Sequence, residues 1–128
     1  MDKDLNKIHA SMRQLFGLVH RLEDEAIKAS EFSDLSRAEI SAIMAIGTGR
    51  PKTMTHVANI LEINVSTLTT TINKLVKKGY VERLRDDKDR RIVKIGLSEK
   101  GIAAATERDS FMGELLRGAV EQVEPDKL

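Results

Sequence analysis

The sequence predicts a mainly α-helical chain carrying one small β-hairpin. Three observations lead there. Apolar residues step by three and four along most of the 128 residues. The period changes only near residues 80–97, where apolar residues cluster around a run of aspartates. Just before that change, two helical segments stand only three residues apart.

The first helix rests on Leu5, Ile8, Met12, Leu15, Phe16, Val19, Leu22, Ala26 and Ile27, which form one long stripe. Ser36-x-x-Glu39 is a capping box for a second helix with core positions Ile40, Ile43, Met44 and Ile46; Gly47, Gly49 and Pro51 end it. Thr53 is placed to cap a short third helix through Val57, Ala58, Ile60 and Leu61, and it is also a candidate DNA contact. Glu62-Ile63-Asn64 make the turn, with Ile63 and Leu68 expected to fill the space between helices that small Ala58 lets approach. The fourth helix runs from Val65 to about Lys78, with Val65, Leu68, Ile72, Leu75 and Val76 inward and Gly79 as its stop. Tyr80, Val81 and Leu84 then suggest a strand, Asp86-Asp87-Lys88-Asp89 a turn, and Ile92, Val93, Ile95 and Leu97 the returning strand. Ser98 opens a last helix through Ile102, Ala105, Met112, Leu115, Leu116, Ala119 and Val123, with Pro125 ending the pattern.

This order amounts to a winged helix-turn-helix flanked by N- and C-terminal helices. One domain spans 1–128, with dimerisation helices at 5–34 and 98–124 around a lobe at 35–97. A stripe as long as the first one needs a partner surface, which a second copy would supply.

The net charge of +1 hides an uneven distribution. Residues 1–49 hold 6 Lys/Arg against 8 Asp/Glu, residues 50–95 hold 11 against 5, and residues 96–128 hold 4 against 7. A basic middle between acidic ends points to a polyanion-binding face. If Leu68, Ile72 and Leu75 face the core, Ser66, Thr70, Asn73, Lys74 and Lys77 face outward with Thr67 beside them. Hydroxyls and ammonium groups at the start and end of one helix face suit base edges and phosphates. Four threonines, at 67, 69, 70 and 71, are middling helix formers and so suggest a role beyond the helix itself. Arg83, Arg85, Lys88, Arg90, Arg91 and Lys94 crowd the hairpin, where arginines suit phosphates and a narrow minor groove. Either Arg90 or Arg91 can instead pair with Asp86, Asp87 or Asp89 and hold the turn. Aromatic residues make up 3% of the chain, too few for stacking single strands, so duplex DNA is the favoured polyanion.

Other chemistries find little support. There is no cysteine, which excludes disulfides and thiolate metal sites and fits a reducing cytoplasm. His20, Glu23 and Asp24 share a helix face, but the three histidines form no ligand cluster, and no metal or cofactor is expected. Asp87-x-Asp89 lacks the glycine and glutamate of a calcium loop. Gly47-Thr48-Gly49 has Lys52 where a dinucleotide loop has its third glycine, and no nucleophile motif appears, so no catalytic residue is assigned. No run approaches a membrane span, and no signal segment follows the charged N-terminus, so a cytoplasmic protein is expected. A winged helix used only for protein contacts is the rival; it need not gather positive charge on both helix and hairpin.

In order and spacing, Leu35-Ser36-x-x-Glu39, Val57-Ala58, the fourth helix, Lys78-Gly79-Tyr80-Val81-Glu82-Arg83, Asp89-Arg90-Arg91 and Leu97-Ser98-x-x-Gly101 resemble the MarR-type winged helix regulators. The resemblance implies homodimers on pseudo-palindromic operators, mostly repressors, released or activated by a small ligand. It also implies a wing-tip arginine, Arg90 or Arg91, in the minor groove. Phe32-Ser33-Asp34-Leu35-Ser36 and residues 65–73 are similar to the fatty-acid-synthesis repressors of that family, which implies an acyl chain on acyl carrier protein as effector. Three departures stand out: Thr70 where many members have arginine, Glu62 where the turn often has glycine, and a sequence ending at residues 124–128, where members usually add a helix to the dimer interface. The sequence is therefore truncated, or the dimer relies on the first and last helices present.

Overall fold

The computed structural model describes residues 2–122. The expected stop at Pro125, with Val123 and the closing residues, lies outside them. The chain divides into two compact units, one up to Leu35 and one from Ser36 onward.

The first unit is α1 (Lys3–Ala29) and the turn after it. Asp2 caps its start by accepting from the Asp4 N–H at 3.1 Å. At its end the Ser30 hydroxyl donates to the Ile27 carbonyl at 2.8 Å and accepts from the Phe32 N–H at 3.1 Å. The leading part of the apolar stripe, Leu5, Ile8, Met12, Leu15 and Phe16, is exposed, whereas Glu23, Phe32 and Leu35 are buried.

The second unit holds α2 (Arg37–Ile46), β1 (Lys52–Thr53), α3 (Met54–Leu61), α4 (Val65–Lys78), β2 (Val81–Arg85), β3 (Val93–Leu97) and α5 (Glu99–Gln122). The strands form one antiparallel sheet in the order β1-β3-β2. The core gathers Ala42, Ile43 and Ile46 from α2, Val57 and Ala58 from α3, Leu68, Ile72 and Leu75 from α4, Tyr80, Val81, Ile95, and Ala104 and Ala105 of α5. The small β1 was not anticipated. It pairs Lys52 with Ile95 and Thr53 with Lys94, widening the hairpin into three strands.

The caps explain the boundaries. Ser36 and Glu39 make both bonds of the capping box. The Lys52 ammonium donates to the Ile46 carbonyl and so caps the end of α2, a structural use for a residue near the glycine-rich segment. Glu62 ends α3 in the left-handed region at φ 57°, and the Ile63 N–H reaches the Ala58 carbonyl at 3.1 Å. That conformation is why glycine suits this position. Asn64, expected only as a turn residue, caps α4 by accepting from the Thr67 N–H at 2.8 Å. Gly79 at φ 89° ends α4, with the Tyr80 N–H bonded to the Leu75 carbonyl at 2.9 Å.

Several apolar residues expected inside are not. Ile60, Ile63 and Val65 are 48%, 37% and 41% exposed, whereas Leu68 is fully buried. Ile92 precedes β3 and is exposed, and Leu84 lies on the outer face of the sheet. No helix among the described residues is long and apolar enough to cross a membrane.

One buried charge ties α4 to the start of α2. The Glu39 carboxylate is 3% exposed; its Oε1 accepts from the Ser36 N–H and the Lys78 ammonium, both at 2.9 Å. Burial alone would raise its pKa, but the Ser36 N–H and Lys78 outweigh burial and leave it below the ordinary value of 4.5. A lowered folded pKa contributes stability that is complete above the unfolded value and lost as pH falls through the folded one. Glu39→Gln is therefore expected to lower stability by about 1–2 kcal/mol at neutral pH. The gap to the parent should close as pH drops below 4.5. Denaturant melts at pH 7 and pH 3 check this, and a gap that stays constant refutes it.

Candidate nucleic-acid interface

The outward face of α4 is fixed by what lies beneath it. Leu68, Ile72 and Leu75 are fully buried, one helical turn apart, so the opposite side must face solvent. Ser66, Thr67, Thr70, Asn73, Lys74 and Lys77 are all exposed. Lys78 differs: it is half-buried and serves Glu39.

The threonines divide. Thr69 Oγ1 donates to the Val65 carbonyl at 2.8 Å, and Thr70 and Thr71 make longer contacts of 3.5 Å to the Ser66 and Thr67 carbonyls. Hydroxyls that bond back along a helix are accommodated by the helix itself. Thr69 and Thr71 are half-buried, so only Thr67 and Thr70 remain on the open face. Thr53 lies apart from that face, at the junction of β1 and α3. Its hydroxyl accepts from the His56 N–H at 3.2 Å.

The hairpin after α4 is held by its own side chains. Asp86 Oδ2 accepts from the Lys88 and Asp89 N–H groups at 3.1 and 3.0 Å, and its Oδ1 lies 3.2 Å from the Lys94 ammonium. The Asp89 N–H, then Lys94, hold the Asp86 carboxyl below its usual range. Arg85 Nη1 donates to the Arg90 carbonyl at 2.8 Å, closing the base of the loop. Arg91 bonds Asp89 through two parallel contacts of 3.1 and 3.0 Å, and that pairing holds the Asp89 carboxyl low. Of the two wing-tip arginines, Arg91 is thus the one that braces the turn. Arg90 is exposed, and no acidic partner reaches its guanidinium among the described residues.

Two features escaped sequence reasoning. Arg83 Nη2 donates to Asn73 Oδ1, joining the hairpin to the face of α4. Arg50 borders an open groove with Pro51, Leu84, Arg85, Asp86, Asp87 and Lys94, adding a cation beside the base of the wing. The basic composition of residues 50–95 signalled Arg50; only the fold could place it. At α1, His20 Nδ1 lies 3.7 Å from Glu23 Oε1, and no group of three or more metal-ligating side chains forms among the described residues.

Comparison with known proteins fits this geometry. Residues 33–92 match the model of the MarR family. The uncharacterized HTH-type transcriptional regulator YpoP of Bacillus subtilis (strain 168) is 37% identical over 68 residues, 53% of this chain and 48% of that protein. The HTH-type transcriptional regulator SarZ of Staphylococcus haemolyticus (strain JCSC1435) is 33% identical over 93 residues, 70% of this chain and 63% of that one. The chain thus spans about half to under two thirds of the length of these relatives. Streptococcus pneumoniae FabT, solved in complex with DNA, superposes with a TM-score of 0.90 at 28% identity, covering 96% of this chain and 86% of that one. Family match, sequence relatives and fold agree: residues 33–92 match the MarR family, and the chain has the winged helix-turn-helix fold.

Proposed function

We propose that the chain is a sequence-specific regulator of transcription that binds double-stranded DNA as a homodimer. One observation carries the reading: the polar outer face of α4 adjoins a braced, basic hairpin, and Arg83 joins the two. A helix of this kind fits the major groove, and Arg90 at the wing suits the flanking minor groove. The likeness to a family member solved on DNA supports the same placement.

The exposed stripe of α1 supports the dimer, because five large apolar side chains in a row are costly to leave in water. Two α4 helices would then enter successive major grooves of a pseudo-palindromic operator, roughly 34–36 Å apart. Control by a small ligand that alters this spacing, usually as relief of repression, is the mode the family resemblance supports. The similarity of residues 32–36 and 65–73 to fatty-acid-synthesis repressors favours an acyl chain on acyl carrier protein as effector, and a regulator that binds DNA would act in the cytoplasm.

A fluorescence titration of a duplex from the protein's own upstream region, against a random duplex at several salt concentrations, tests this. Preferential binding that falls steeply with salt is expected, with log affinity declining by about 0.9 per log salt for each phosphate neutralised. A folded chain with no salt-sensitive affinity for either duplex would favour a protein-interaction module instead.

A further inference from the structure

Asn73 sits mid-way along the outer face of α4, and its amide is held by Arg83. Arginine offers only donors, so the atom facing it must be the carbonyl oxygen. The amide orientation is therefore set by chemistry: Oδ1, though it keeps a second lone pair, is turned toward Arg83 on the hairpin, and Nδ2 with its two hydrogens is turned away. The sheet explains why Arg83 can do this. Arg83 pairs with Ile95 in the β2–β3 register, and paired residues share a sheet face. Ile95 is fully buried, so Arg83 leaves the hairpin on its helix side, within reach of α4.

An unrestrained asparagine reads adenine with both amide atoms, accepting from N6 and donating to N7. We propose that Arg83 is a positioning residue that sets base preference, holding Asn73 as a donor that selects an acceptor on the base edge. This rests on the reading of α4 as the major-groove helix. The acceptors in that groove are N7 of either purine, guanine O6 and thymine O4; cytosine offers only a donor. The base opposite Asn73 is thus restricted to adenine, guanine or thymine, with cytosine rejected.

Selection from a randomised duplex library, followed by affinity measurement on single-base variants, tests the assignment in three proteins. The parent chain should tolerate adenine, guanine and thymine within about threefold at one position per half-site and disfavour cytosine by about tenfold. Arg83→Met keeps an apolar stem but no donor; it frees the amide, and adenine should gain about tenfold over guanine and thymine. Asn73→Asp still accepts from Arg83 but presents only acceptors, so bases that show an amine donor in the major groove, cytosine and adenine, should rise relative to the others. If Arg83→Met lowers affinity evenly with base preferences unchanged, Arg83 is a phosphate contact and the proposal falls. If the parent chain shows no salt-sensitive duplex binding, the DNA-binding reading itself falls and takes this inference with it.

Discussion

Replacing Gly101 with alanine should lower stability by about 3 kcal/mol, a drop of roughly 10 °C in Tm. A Cβ at Gly101 would lie 2.2 Å from the Tyr80 carbonyl oxygen and 3.1 Å from Leu97 Cβ. The carbonyl cannot swing aside freely, because it accepts from the Ser98 N–H at 3.0 Å. Ser98 is itself tied on both sides: its hydroxyl donates to the Gly79 carbonyl at 2.6 Å and accepts from the Gly101 N–H at 3.1 Å. The Leu97-Ser98-x-x-Gly101 element is thus a clasp that docks the start of α5 on the end of α4. Alanine there must push α5 away and forfeit part of that hydrogen-bond set, adding about 1 kcal/mol per bond to the cost of overpacking. Gly113→Ala, in the same helix with open space around the site, is the control and should be neutral or slightly stabilising. Thermal melts of both variants decide the matter; equal melting temperatures for Gly101→Ala and the parent refute the clasp.

Much of this architecture was legible because it is local. The Ser36–Glu39 box, the Thr53 cap, the Gly79 stop and the buried row Leu68, Ile72 and Leu75 depend on residues within a turn or two of each other. What the sequence could not reveal depends on chain folding back on chain. β1 is two residues long, too short for an alternating pattern, and exists because Lys52 and Thr53 meet β3. Ile63 reads as a filler between the two helices from its place in the turn, but it follows the left-handed Glu62 and is 37% exposed. Propensity alone predicts a role for each of the four threonines of α4. Thr69, Thr70 and Thr71 all bond back to carbonyls four residues earlier, and half-burial takes Thr69 and Thr71 off the open face. The Asn73–Arg83 hydrogen bond joins residues from different elements, so periodicity could place each on a face but could not bring them together.

The pair of wing-tip arginines shows how folding resolves an ambiguity that spacing left open. Arg90→Ala with Arg91→Ala should weaken duplex binding at least tenfold at physiological salt, about 1.4 kcal/mol or more. Most of that loss should come from Arg90. Arg91 already spends its guanidinium on Asp89, and the two charges largely cancel for a polyanion approaching from outside. Arg90 has no such partner among the described residues, while its own backbone carbonyl is anchored by Arg85. A braced loop carrying an unpaired guanidinium loses little conformational entropy on entering a minor groove, whose negative potential favours arginine. Arg91→Ala alone should then cost less than about threefold, chiefly through a looser turn. Removal of Arg90 should also reduce the salt slope by about one for each phosphate it no longer neutralises. Titrations of the two single variants and the double, each checked for folding by circular dichroism, separate the roles. Binding unchanged in the folded double variant would remove the wing from the interface. A larger loss from Arg91→Ala than from Arg90→Ala would mean that the Asp89 pair opens on DNA and that Arg91 enters the groove.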